Sequence, residues 1–340
     1  MANVGVVGTT AWGTTLGLLL AQRGHAVTLW ARTEAEARTI NADGELRSRL
    51  PGILFPAGLR ATASLDEAFG QASLAVFATP SQRIRENARV VAPHLPPSTL
   101  VLSAAKGLEV GSALRMSQVL AEELGPGTAE RCCVLSGPNI SREILQGSPA
   151  ATVIAAASLD LADRVRDMMM TPRFRVYSSS DVAGVELGGT LKNIVAMGAG
   201  LNDGWGYGAN TKAAYMTRGL AEMTRLGVAA GAHPMTFLGL AGLGDLVATC
   251  TSPFSRNRRL GEAIARGLPL DQALATLGGV AEGPTTTIAA RALAARLGVE
   301  MPATEVTYRV LYEGLDPHRA ITELMLREPK HELEGLASDL

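Results

Sequence analysis

The sequence predicts an α/β first half, built on a mostly parallel, doubly wound sheet, followed by an all-α second half. Three observations predict this. Short, continuous apolar runs recur through the first 180 residues with helical stretches between them, the pattern of parallel strands buried on both faces. The residues that break the regularity (Gly8, Thr79-Pro80, Lys106-Gly107 and Gly137-Pro138-Asn139) each directly follow an apolar run, which in a parallel sheet puts them on one edge. From about residue 182 the alternation stops and glycine-bounded helical stretches take over.

Taken in order, residues 3–7 read as a fully apolar strand running into Gly8. A helix follows over 13–23, with Leu16, Leu19 and Leu20 at helical spacing, and Gly24 ends it. AVTLW (26–30) is the next strand. LAVFATP (74–80), TLVLSAAKG (99–107), CCVLSGPN (132–139) and PAATVIAAA (149–157) are further strands, with helices at 82–92 and 112–124. FRVYSS (174–179) closes the alternation, so two domains are expected, at 1–180 and 181–340, the second of them helical. In the second, a long helix spans 182–204. Another runs over 210–231, with Asn210 as its cap and Gly231 as its stop. Shorter helices are expected near 244–250, 256–266, 270–277, 284–297, 303–313 and 317–326.

Composition narrows the function. The chain has 340 residues, 47% of them hydrophobic and 19% charged, which suits packed cores and excludes disorder. A net charge of −1 and 4% aromatic residues supply neither a field nor a stacking surface for nucleic acid. No apolar run approaches the ~20 residues that span a bilayer, so no stable membrane insertion is expected. Cys132, Cys133 and Cys250 are an odd set with two neighbours, a poor disulfide framework. With no signal-peptide pattern, this leads us to expect a reducing, cytoplasmic location. The five histidines lack ligand spacing, and no metal is expected.

Three stretches carry chemistry. In GVVGTTAWGTTLG (5–17), Gly8 and Gly13 sit at the outer positions of a G-x-G-x-x-G dinucleotide turn, with Thr10 in the middle. Threonine adds bulk where the backbone approaches the pyrophosphate, although its hydroxyl could donate to a phosphate. An ordinary strand–turn–helix that starts with glycine fits the stretch too. After the second strand stands Arg32, with Glu34 two residues on. An acid there would accept from the 2′-hydroxyl of NAD, whereas arginine pairs with the 2′-phosphate of NADP, so NADPH is expected to serve at least as well as NADH. A solvated arginine at a strand end is the alternative. Lys192 stands in an uncharged stretch, 187–202. It either snorkels to solvent or, partly desolvated, suits proton transfer. In SPFSRNRRLGEA (252–263), Ser255, Arg256, Asn257, Arg258 and Arg259 gather at a helix start, an arrangement that favours a phosphate if it is not simply a solvated surface.

Together with AAKGLE, SGPNISREI, the long stretch VELGGTLKNIVAMGAGLNDGWGYGANTKAAYMTRGLAEMTRLG, GLAGLGDLVATCTSPFSRNRRLG and GVAEG, these motifs resemble the bacterial NAD(P)-dependent glycerol-3-phosphate dehydrogenases from residue 3 to about 325. The resemblance implies a Rossmann-type domain, an all-α domain and a homodimer. It implies reduction of a phosphorylated triose, dihydroxyacetone phosphate, to sn-glycerol 3-phosphate with NADP(H) or NAD(H), supplying glycerophospholipid synthesis. It assigns Lys192 to proton transfer at the C2 oxygen, and Lys106 to the neighbourhood of cofactor and substrate. Asp245, Ser255, Arg256 and Asn257 would hold substrate, with Gly137 and Asn139 beside it. The cofactor is expected against Ala11, Trp12, Arg32, Lys106, Arg256, Val280 and Glu282, and Ser141 stands where the family usually has a cofactor-touching alanine. Thr10 and Ile140-Ser141 depart from the family pattern and bear on cofactor affinity and preference. Two other readings remain at this point: a related reductase of another small keto or hydroxy acid, and a non-catalytic NADP-binding regulator. The Arg256-Asn257 pair argues against the first, and Lys192 with Asp245 against the second.

Overall fold

In the computed structural model, which describes residues 1–329, 331 and 332, the chain divides into two compact units. One comprises Met1–Lys106 with Met116–Val182, the other Gly107–Arg115 with Ala183–Leu340. The expected domain end at 340 lies outside the described residues.

The first unit is a single sheet of strands β1 (Asn3–Val7), β2 (Ala26–Trp30), β3 (Leu59–Thr62), β4 (Leu74–Phe77), β5 (Leu100–Ser103), β6 (Cys132–Ser136), β7 (Ala150–Ala156) and β8 (Phe174–Ser179), in the order β3-β2-β1-β4-β5-β6-β7-β8. Pairing from β3 through β6 is parallel, β6 meets β7 antiparallel, and β7 and β8 are parallel again. This is the doubly wound strand order of dinucleotide-binding sheets. The helices of this unit are α1 (Ala11–Gln22), α2 (Glu34–Asp43), α3 (Leu65–Phe69), α4 (Ile84–Val91), α5 (Met116–Leu124), α6 (Thr128–Arg131), α7 (Ser141–Leu145) and α8 (Leu159–Met169). One core holds the unit together: Val4, Val6, Leu29, Leu74, Val76 and Leu102 from the strands meet Leu16, Leu20, Ile40 and Val165 from helices. The expected strands are present, generally a few residues shorter. Their polar ends, such as Thr79-Pro80 and Lys106-Gly107, leave the ladder because they turn away at the sheet edge. Sequence periodicity missed the short edge strand β3. It also missed the antiparallel step, which arises because only the five-residue α7 separates β6 from β7, leaving no full crossover helix.

The second unit is helical: α9 (Val182–Gly204), α10 (Ala209–Ala229), α11 (Asp245–Thr251), α12 (Arg256–Ala265), α13 (Leu270–Ala275), α14 (Gly283–Leu297), α15 (Pro302–Tyr312) and α16 (Pro317–Met325), with a 3-10 turn at Pro234–Leu238 and a π turn at Leu240–Gly244. Asn210 is not the cap of α10; Gly208 occupies that position, with no side-chain bond. The segment Gly107–Arg115 belongs here because Leu108 and Ala113 enter this unit's core beside Leu187, Leu191 and Leu293, and because Arg115 pairs with buried Glu186 at 2.5 Å.

Helix α9 is the spine of this unit. Seventeen of its residues are buried, an amount unusual for a charged-capable helix, and small residues let backbone come close on several sides. At Gly188 an added Cβ would lie 2.6 Å from the Ala241 carbonyl, in the π turn that leads into α11. At Gly200 it would lie 1.9 Å from the Arg258 carbonyl of α12. Gly188 and Gly200 are therefore contact surfaces that bring the π turn before α11, and α12, onto the helix carrying Lys192.

Candidate active site

The first unit's share of the expected residues lies along the carboxyl edge of its parallel strands. Gly8 follows β1 with φ +84°, and a Cβ there would come 2.8 Å from Thr79 Cγ2, so both backbone shape and space call for glycine. Thr10 does something other than expected: its hydroxyl accepts from Gly13 N at 2.9 Å, capping α1, and donates to the Ala78 carbonyl at 2.8 Å. Its one hydroxyl hydrogen is therefore spent inside the turn, and none is left for a phosphate. The backbone N–H groups of Ala11 and Trp12, in the first turn of this twelve-residue helix, have no acceptor among the described residues. An open helix N-terminus behind a tight glycine turn fits the pyrophosphate of a dinucleotide.

Hydrogen bonds tie the neighbouring loops into a row. The Trp12 indole donates to the Ala104 carbonyl at 3.2 Å, while its ring packs against the sheet core. Lys106 Nζ donates to the Gly137 carbonyl at 2.8 Å. Asn139 Nδ2 donates to Thr152 Oγ1 at 2.9 Å, and Thr152 in turn donates to the Ser136 carbonyl. Asn139 Oδ1 is buried without a partner, as are the hydroxyls of Ser103 and Ser136 that end β5 and β6. Ser141 is the first residue of α7 and half-buried. At the end of β2, Arg32 is exposed and its guanidinium makes no ion pair or hydrogen bond among the described residues, and Glu34 is exposed at the start of α2.

The second unit brings together residues far apart in sequence. Lys192, 6% exposed, donates to the carboxylate of Asp245, 1% exposed and 53 residues away, and to Thr249 Oγ1 at 2.6 Å. Thr249 also donates to Asp245 Oδ1 at 3.3 Å, one helical turn along α11. The sequence showed Lys192 among uncharged neighbours; the fold supplies its counter-charge, and a buried ammonium needs one. Next along α9, Asn193 accepts from Asn257 Nδ2 at 2.8 Å, and Asn257 Oδ1 accepts from Gly283 N at 2.9 Å. Asn257, at 7% exposure, thus locks the start of α12 to α9 and α14 and keeps one amide hydrogen to give. Ser255 caps α12 by accepting from Arg258 N at 3.2 Å. Arg256 is exposed, with its Nη1 atom 2.8 Å from where a Cβ on Gly279 would stand, so it lies against the segment leading to Val280 and Glu282. Val280 is exposed, and Glu282 is half-buried at the start of α14.

The neighbouring Arg258 is engaged elsewhere. Arg258 Nε donates to Asp203 at 2.5 Å and Nη2 lies 2.8 Å from Glu262; Lys212 also pairs with Asp203 at 2.7 Å. That network pins the end of α9 to α10 and α12. Sequence reasoning missed Thr249 and Asn193. Their signals were present: Thr249 lies one turn after Asp245, and Asn193 adjoins Lys192. Among the described residues, no group of three or more His, Cys, Asp and Glu side chains could hold a metal ion, and no helix is long and apolar enough to cross a membrane.

Residues 3–162 match the family described as NAD-dependent glycerol-3-phosphate dehydrogenase N-terminus, and residues 181–322 the corresponding C-terminus. A protein of Dehalococcoides mccartyi named glycerol-3-phosphate dehydrogenase, NAD(P)+, is 48% identical over 341 residues, covering 100% of this chain and 95% of its own. One of the same name from Pelotomaculum thermopropionicum is 48% identical over 335 residues, 98% of this chain and 96% of its own. The crystal structure of glycerol-3-phosphate dehydrogenase from Coxiella burnetii superposes with a TM-score of 0.90 at 35% identity, covering 96% of this chain and 99% of that one.

Proposed function

The chain belongs to the NAD-dependent glycerol-3-phosphate dehydrogenase family, and on that basis we propose how its residues reduce dihydroxyacetone phosphate to sn-glycerol 3-phosphate with NAD(P)H. The observation that carries the assignment is the buried triad of Lys192, Asp245 and Thr249. It is a proton-bearing group held in place by two fixed acceptors.

When bound, the reduced nicotinamide supplies the hydride for C2. Lys192 gives its proton to the C2 oxygen as negative charge develops there, and takes it back in the reverse direction. Asp245 and Thr249 fix the position of Nζ, and Asp245 offsets its charge in a site with little water. Lys106 adds a second cation to stabilise the developing oxyanion. Arg256 and the remaining amide hydrogen of Asn257 hold the substrate phosphate, helped by Ser255, whose cap fixes the start of α12. Gly137 and Asn139 border the substrate, and the unpartnered Asn139 Oδ1 suits a substrate hydroxyl. Gly8, Thr10, Ala11, Trp12 and Gly13 shape the dinucleotide turn, Arg32 takes the 2′-phosphate of NADP(H), and Lys106, Ser141, Arg256, Val280 and Glu282 complete the cofactor contacts. The enzyme works as a cytoplasmic homodimer feeding glycerophospholipid synthesis, a reading supported by the family resemblance; light scattering at twice 35.4 kDa would agree with it and a single-chain mass would refute the dimer.

The test is the fall in NADPH absorbance on adding dihydroxyacetone phosphate, beside the same assay with unphosphorylated dihydroxyacetone. Turnover that needs the phosphate is expected. Faster turnover of the unphosphorylated ketone would overturn the assignment of Arg256 and Asn257.

A further inference from the structure

The Glu36 carboxylate lies between the two loops that read the adenosine half of a dinucleotide. Its Oε1 atom accepts from Thr9 Oγ1 at 2.5 Å, in the turn after β1. Its Oε2 atom accepts from the backbone N–H of Arg32 at 3.2 Å, at the end of β2. Both partners are donors, so the group is placed as an accepting carboxylate, and no cation among the described residues pairs with it.

Helix capping alone does not explain this. Thr33 caps α2, accepting from Glu36 N at 3.1 Å, and Thr-x-x-Glu is the pattern of a capping box. In a capping box the glutamate reaches back to the N–H of the cap residue itself. Here it reaches one residue further, to Arg32, and across to the glycine turn. The usual NAD-selecting acid ends the second strand and accepts from the ribose 2′-hydroxyl. Arg32 occupies that place in sequence, yet a carboxylate has been brought to the same corner from the first turn of α2. Glu34, the nearer acid in sequence, is exposed at the start of that turn.

We propose that Glu36 is the residue that sets cofactor preference: its carboxylate, fixed between Thr9 and the Arg32 backbone, accepts from the ribose of NAD(H) and opposes the attraction of Arg32 for the 2′-phosphate of NADP(H). This rests on the reading of the β1 and β2 loops as the cofactor site. Specificity is a difference between two affinities, and one site carrying both a cation and a carboxylate narrows that difference.

The test is equilibrium binding of NADPH and NADH to the full chain without substrate, by titration calorimetry, for the wild type and Glu36→Gln. Glutamine keeps the shape and removes the charge. NADPH should bind several-fold more tightly and NADH several-fold more weakly, moving the ratio of dissociation constants by about tenfold or more. Glu36→Asp, which keeps the charge, should leave the ratio within about twofold. An equal change in both affinities, or none, would mean a merely structural glutamate and overturn the inference while leaving the cofactor site intact. Failure of the wild type to bind either dinucleotide would overturn the site reading and the inference with it. Should Glu36→Gln not fold, Glu36→Ser reads the same ratio.

Discussion

Substituting Gly200 by alanine adds one methyl group far from any reacting atom, and the structure sets the size of its effect. The new Cβ would stand 1.9 Å from the Arg258 carbonyl oxygen, where ordinary contact begins near 3.4 Å, so α9 and α12 must part by about 1.5 Å at that point. The first residues of α12 are Arg256 and Asn257, and Asn257 is bonded to Asn193 on α9. A displacement of that size breaks the 2.8 Å amide bond and moves the proposed phosphate ligands relative to Lys192. Misplacement by about 1 Å costs on the order of a hundredfold in rate. Stability should fall by about 1–3 kcal/mol from overpacking, less the ~1 kcal/mol that alanine gains over glycine within a helix. Steady-state kinetics with dihydroxyacetone phosphate, together with denaturant unfolding, read both quantities. Gly208→Ala is the control, because nothing lies within 4 Å of its Cβ position. Wild-type kcat/KM and stability in Gly200→Ala would refute the claim that helix contact positions the site.

Other consequences follow from single groups. Asp245→Asn removes the counter-charge of a buried lysine and should cost about 3–5 kcal/mol in unfolding free energy; a loss below about 1 kcal/mol would show that the pair is solvated. Burial pushes the thiols of Cys133 and Cys250 up to about 12, and Cys132 is buried as well. The folded protein should therefore resist a thiol reagent at neutral pH and yield three equivalents once unfolded; rapid native labelling would contradict this. His25 is held below its ordinary value of 6.5, chiefly by burial, while accepting from Ala2 N and meeting the Met168 carbonyl. Its unfolded form binds a proton first, so its contribution to stability is complete above 6.5 and is lost as pH falls below it. His25→Gln should flatten the stability–pH curve just below 6.5, and an unchanged slope would exclude this residue as the cause.

The fold was largely legible because buried parallel strands are continuous apolar runs and α9 is long and bounded by glycine. Asn210 was misread as a cap since capping depends on where the chain turns, and Gly208 makes that turn. The lone character of Lys192 was an artefact of linear distance, as its carboxylate arrives from a helix 53 residues on. Thr10 looked like damage to a glycine fingerprint, yet its side chain folds back to cap α1, an outcome set by the Ala78 carbonyl and invisible in the motif. Glu36 drew no attention because strand-end position was counted along the chain, whereas a helix turn returns this later residue to the strand end. The segment Gly107–Arg115 carries a motif ending the Rossmann strand but packs its leucine into the other unit, a choice that local pattern does not encode.

Lys192 is the proposed proton donor to the C2 oxygen. The most direct measurement is turnover of dihydroxyacetone phosphate by Lys192→Met with saturating NADPH, with cofactor affinity measured alongside. A fall in kcat of about a hundredfold to ten-thousandfold with NADPH binding retained is expected. Near-normal turnover in a folded, cofactor-binding variant would contradict it.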